Sequence, residues 1–241
     1  MCTPLALLAA LTLTAPPPAP EEPGPARSSR AESFQPDPGW RPIGPSLWFD
    51  PKQRRMVLRA RVVLREGPLE HLMCLKGTKE HEAILATGAV PRQIHAVLLL
   101  TGAEPGHPVQ FVPEFAPPTG SPIAIELEWQ EAGKTRRANA RDWIRDERTK
   151  APLTTDWVFA GSQLIDDPLT KKPYYTADDG DLITVTNFAS AILDLPFAST
   201  ANDADRVFGA HTERIPPRGT EVTLYFRPLP PDPKKSPASA K

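Results

Sequence analysis

The chain has 241 residues, a formal net charge of -1 and 24% charged residues. Displacing counterions from phosphates takes a surplus of basic residues, so this balance excludes nucleic acid as an expected partner. The 31 prolines crowd both ends of the chain, and the stretch between them is long enough for one domain with a proper core.

In chain order, Leu5 to Ala15 is an uncharged apolar run. It has the length of a signal-peptide core and falls short of the roughly 20 residues that cross a membrane. Residues 1–26 therefore read as a signal peptide and the start of a leader. That makes the protein exported, to the periplasm or cell envelope, with no transmembrane helix once mature. Met1 to Pro4 contains no Lys or Arg, so the alternative is a cytoplasmic protein with a disordered leader. Cys2 departs with the leader, which leaves Cys74 alone and the domain without an internal disulfide. Residues 27–46 read as a Pro-rich disordered tether, 47–228 as the domain, and 229–241 as a disordered tail.

Met56 to Leu64 alternates apolar residues with Arg59 and Arg61, as a strand with one wet face does. Glu66-Gly67-Pro68 turns the chain, and Leu69 to Leu75 is expected to return as a second strand. Two helices are then expected. Thr78 is placed to cap the first, Glu80 and Glu82 suit its first turn, and Gly88 ends it. Pro91 opens the second, and Ile94 to Leu100 is apolar nearly all round, as in a buried helix. Ile123–Trp129 and Lys134–Ala140 bracket Gln130-Glu131-Ala132-Gly133 as a hairpin. Trp157 to Ala160 reads as a central strand. Tyr174–Ala177 and Leu182–Thr186, around Asp178-Asp179-Gly180-Asp181, read as another hairpin, and Val222 to Phe226 as a late strand. The predicted fold class is α+β, a mainly antiparallel sheet with a short helical pair packed on one side.

Several separated blocks resemble the YdjY family of bacterial proteins. They are Glu66–Glu70, Cys74–Glu82, His95–Leu99 with Gly102, Trp157–Ser162, Tyr175 with Ala177-Asp178, and Arg214–Thr220. The resemblance covers residues 47–228. It implies exported or envelope members and supplies no activity and no catalytic residue.

Candidate chemistry centres on histidine. His71, His81, His95 and His107 lie within 37 residues, beside Cys74. Imidazole and thiolate are good ligands for zinc or copper. On the expected helices His81 shares a face with Ile84 and Leu85, and His95 with Leu98 and Leu99. Both rings should then point inward, next to Cys74 at the end of a strand, with Glu82 at the rim. His71 and His107 read as surface residues. Cys74, His81 and His95 form the expected set for a divalent metal. A ligand pocket between helices and sheet would be lined by His81, Glu82, His95, Trp157, Ser162, Tyr175 and Asp178.

Other motifs carry less. Ser162 lacks the Gly-x-Ser-x-Gly elbow of a nucleophile. The aspartates around Gly180 suit a tight turn better than a calcium loop. The expected function is a binding or scaffold module for an envelope component or small ligand. The alternative is a metal-dependent, hydrolytic or redox site on Cys74, His81 and His95.

Overall fold

The computed structural model describes residues 34–167, 169–199 and 208–230. The expected signal peptide, residues 27–33 of the tether and residues 231–241 of the tail lie outside the described residues.

Two short strands, β1 (Arg41–Gly44) and β2 (Leu47–Asp50), pair as a hairpin and lead into β3 (Arg55–Val62). β1 thus precedes the domain start expected at residue 47. Next come β4 (His71–Leu75), β5 (Ala83–Thr87) and the helix α1 (Pro91–Leu100). The long hairpin of β6 (Pro122–Glu131) and β7 (Lys134–Asn139) follows. Four short strands succeed it: β8 (Ile144–Asp146), β9 (Trp157–Phe159), β10 (Leu164–Asp166) and β11 (Pro173–Tyr175). The last four are β12 (Asp181–Thr184), β13 (Leu193–Asp194), β14 (Phe208–Ala210) and β15 (Glu221–Pro228).

Neighbouring strands run β3-β15-β6-β9-β13-β12-β4-β5, and β5 pairs back onto β3. The eight strands close a barrel, which removes the unpaired edges an open sheet would leave. Closure works because β3 divides one side along its length. Its Arg55–Leu58 half pairs with β2, and Arg61 and Val62 pair with β5. Its other side is taken entirely by β15. Strands that face a closed interior alternate, and the long ones do. Ile123, Ile125, Leu127 and Trp129 of β6 are buried between Ala124, Glu126, Glu128 and Gln130. Val222, Leu224 and Phe226 of β15 join them, with Met56, Leu58, Ala60 and Val62 of β3.

The expected α+β architecture is therefore incorrect: the molecule is mostly β, and among the described residues it has one α-helix. No first helix of a pair forms. Residues 76–82 are turns, and Ala83 to Thr87 is strand β5. Ala83–Thr87 is buried at every position, a pattern that a buried helix segment and a central strand share. The second expected helix is α1, begun by Pro91 at its first turn. It is buried on one side only, through Ile94, Val97 and Leu98, while Leu99 and Leu100 face solvent.

Of the two expected hairpins, the one at Ala132-Gly133 forms. Both turn residues have positive φ, 49° and 72°, as a two-residue turn that follows the strand twist requires. The one at Asp178–Asp181 does not. Tyr175 ends β11, which pairs with β10, and β12 pairs with β4 and β13. A single 3-10 turn at residues 176–179 separates them.

Phe226 is fully buried in the barrel interior. Phe226→Ala should cost about 3–5 kcal/mol of stability, whereas Leu164→Ala, at a side chain 66% exposed, should change it by no more than about 0.5 kcal/mol. Urea unfolding of the two variants checks both values.

Candidate functional site

The connection from β4 to β5 determines what meets at one end of the barrel. The strands are parallel, with His71 opposite Ala83 and Leu75 opposite Thr87. A parallel return usually takes a dozen residues or more. Here residues 76–82 suffice, because a five-residue strand is only about 16 Å long and seven residues can reach about 23 Å. The return starts with Gly77 at φ +81° and a bond from the Thr78 hydroxyl to the Leu75 carbonyl, 2.6 Å. It ends at Glu82, whose carbonyl accepts the Glu70 and His71 amides, each at 3.1 Å. Glu82 is thereby carried back beside residues twelve positions earlier.

His71, expected at the surface, is fully buried. Its Nε2 lies 2.7 Å from Asp181 Oδ1. Lys79 Nζ donates to the same oxygen at 2.6 Å, and the Ser190 hydroxyl donates to Oδ2. Burial by itself would raise the Asp181 carboxyl. The bonds from His71, Lys79 and Ser190 outweigh it and hold the group at about 2. Phe188 stacks on the His71 ring at 5.3 Å, with Lys79 Nζ 4.9 Å from the Phe188 centroid. His71 Nδ1 has no hydrogen-bond partner among the described residues. One ring nitrogen of His71 and one carboxylate oxygen each of Glu70 and Glu82 lie within 4.8 Å of one another.

The loop that supplies Phe188 and Ser190 is anchored by Asp194, itself fully buried. Asp194 accepts bonds from the Thr184 hydroxyl at 2.8 Å, the Asn187 amide at 3.1 Å, and the Leu195 and Phe188 backbone amides. Burial pushes its carboxyl up to about 7 against those donors.

The expected site residues fall into separate places. His81 is on the return turn, 76% exposed, with Nε2 3.6 Å from Glu82 Oε2 at the rim of the His71 cluster. Glu82 is inside that cluster. Cys74 is fully buried against Ala83, Ala86 and Val63, and burial pushes its thiol up to about 11, far from a thiolate. His95, on α1, sits with Tyr175: its Nδ1 lies 2.9 Å from the Tyr175 hydroxyl and 3.1 Å from the Gly161 carbonyl. Its ring meets Phe159 edge-on at 4.9 Å, and burial lowers its basicity. Asp178 reaches the same corner through Arg92, at 3.5 Å. The Ser162 hydroxyl bonds Thr176 Oγ1 at 3.0 Å. Trp157 is core, its indole donating to the Thr184 carbonyl at 2.7 Å. Cys74, His81 and His95 do not come together. Among the described residues, Glu70, His71 and Glu82 are the group with converging ligand atoms.

The family model of the YdjY domain matches residues 47–227. The chain belongs to the YdjY domain family. No curated protein and no solved structure matches it. Within this YdjY domain two surface hollows, about 290 Å³ beside Gln53, Arg55 and Tyr225 and about 400 Å³ beside Gly102, Gly120 and Leu229, contain none of the residues above. Polar chemistry, not hollow volume, marks the His71 cluster. Sequence reasoning missed His71, Glu70 and Asp181. The available signal was the Glu70-His71 pair at the start of an otherwise apolar strand, answered twelve residues later by Glu82.

In a Cys2→Ser chain, the Cys74 thiol should be unreactive to a disulfide reagent at pH 8 while the domain is folded. One thiol per chain should appear on unfolding in urea. Rapid reaction of the folded protein, followed by absorbance, would show that the thiol is accessible.

Proposed function

We propose that this YdjY domain is an exported binding module of the cell envelope that takes a small polar ligand at the His71 end of its barrel. The observation that supports this most is the orphaned Nδ1 of a fully buried histidine. Leaving such an atom unbonded costs on the order of 1–3 kcal/mol, and barrel closure needs no ionisable group there. Asp181, Lys79 and Ser190 nevertheless hold the ring in one orientation. A preset polar group without a partner among the described residues is suited to a ligand that supplies one. The rest of the barrel, with its apolar interior, serves as a rigid mount.

Export is inferred from the apolar run Leu5–Ala15 and the Pro-rich segment after it. Fusing residues 1–46 to a phosphatase that is active only outside the cytoplasm should give active reporter. An inactive reporter, made at normal level, leaves the domain as a cytoplasmic one.

Ligand retention is read by native mass spectrometry of the full chain purified from the cells that make it. The wild type should carry excess mass that disappears on denaturation. His71→Gln should carry none, with its fold checked by far-ultraviolet circular dichroism and Glu82→Gln as a second variant in the same cluster. A wild type at bare chain mass, or retention by both variants equal to that of the wild type, overturns the reading.

A further inference from the structure

The ligand class follows from how His71 is held. In a neutral imidazole, the nitrogen that donates to a buried carboxylate carries the one ring proton, and the other nitrogen presents a lone pair. Asp181 occupies Nε2 at 2.7 Å and is itself fixed by Lys79 and Ser190. In the neutral ring Nδ1 is then the acceptor, and it has no hydrogen-bond partner among the described residues. Carboxylate, imidazole and metal in series is a recurrent arrangement, in which the outer carboxylate sets the tautomer and orients the ring.

The remaining donors suit the same occupant. Glu70 and Glu82 each bring a carboxylate oxygen to within 4.8 Å of a His71 ring nitrogen and of one another. Ligand atoms that share an ion at about 2.1 Å lie at most about 4.2 Å apart, so side-chain shifts of a few tenths of an ångström complete the contact. Lys79 is engaged with the Asp181 oxygen that meets Nε2. The backbones of Glu70 and Glu82 are tied to each other and to the end of β12, since the Glu82 carbonyl accepts the Glu70 amide and the Glu70 carbonyl accepts the Val185 amide at 2.8 Å. The donor set thus sits where β4 and β5 begin, with Glu70 and Glu82 each one residue before a strand.

We propose that Glu70, His71 through Nδ1, and Glu82 bind one first-row divalent cation, with Asp181 as the positioning residue behind the imidazole. One nitrogen and two carboxylates fit Zn²⁺, Mn²⁺ or Fe²⁺ better than a soft ion that prefers thiolate, and better than all-oxygen Ca²⁺ or Mg²⁺ sites. Three protein ligands leave at least one position for water or for an oxygen of a bound molecule. This rests on the binding reading above and gives its ligand a chemical class.

The test uses the full, untagged chain, stripped with chelator and titrated with ZnCl₂ and with MnCl₂ in a calorimeter. Co²⁺ absorption serves as a reporter of nitrogen ligation. Wild type should bind one ion per chain. Glu82→Gln, at a side chain 16% exposed, should bind at least about tenfold more weakly with an unchanged metal-free melting temperature. Asp181→Asn should weaken binding by about 10–100-fold and shift the Co²⁺ spectrum. Binding no tighter than about 100 μM, equal affinity in Glu82→Gln, or loss of the ion through exposed His107→Ala overturns the assignment. If neither ion binds while the native mass spectra still show an adduct that His71→Gln loses, the cation is rejected and the binding module stands. Absence of both removes both.

Discussion

The short parallel return between β4 and β5 is the constraint from which the arrangement at this end of the molecule follows. A helix at residues 78–87 would have moved the chain about 1.5 Å per residue along one axis. The turn at residues 76–82 instead brings it back to its starting level, and β5 continues beside β4. β5 can then reach Arg61 and Val62 at the end of β3, which closes the barrel. The same return sets Glu82 beside Glu70 and His71. Closure and the polar cluster are consequences of one seven-residue connection.

Closure also explains how a fully buried histidine is tolerated. β4 sits one strand in from β5, the strand that an open sheet would leave at its edge and hydrated. In the barrel it is flanked by β5 and β12, and the β12 aspartate comes with it. Asp181 lies opposite Cys74 in the ladder, yet its carboxylate reaches His71, because the register between β12 and β4 is interrupted. The loop after β12 then covers the ring with Phe188 and adds Ser190, held in place by Asp194. Desolvation strengthens each of these bonds and raises the cost of any atom left unbonded. That asymmetry is why Nδ1 of His71 carries so much of the functional reading.

The second polar corner, at His95, is of another kind. Its imidazole shares the Gly161 carbonyl with the Tyr175 hydroxyl and lies edge-on to Phe159. The ring's Nδ1 is satisfied, and the geometry ties α1 to the segment after β9. Gly161 has φ +91°, and a Cβ there would meet Pro105 at 3.1 Å, so the glycine fits a close passage of chain past this corner. Packing accounts for His95 without a ligand.

What the residues determined alone were the features carried by short-range pattern. The alternation in β6 and β15, the existence of a turn within Gln130–Gly133, the all-apolar β9 and the Pro91 start of α1 each depend on neighbours a few positions away. The blocks matching the YdjY family were likewise readable, and Glu82 was recognised as a polar residue near a site. Tertiary structure decided the remainder. A buried run such as Ala83–Thr87 has no period that separates helix from strand. Whether His71 faces water depends on β5 and β12 arriving on either side of it. The meeting of Glu70, His71, Glu82 and Asp181 depends on long-range closure across 110 residues, and no local rule in the chain encodes that distance.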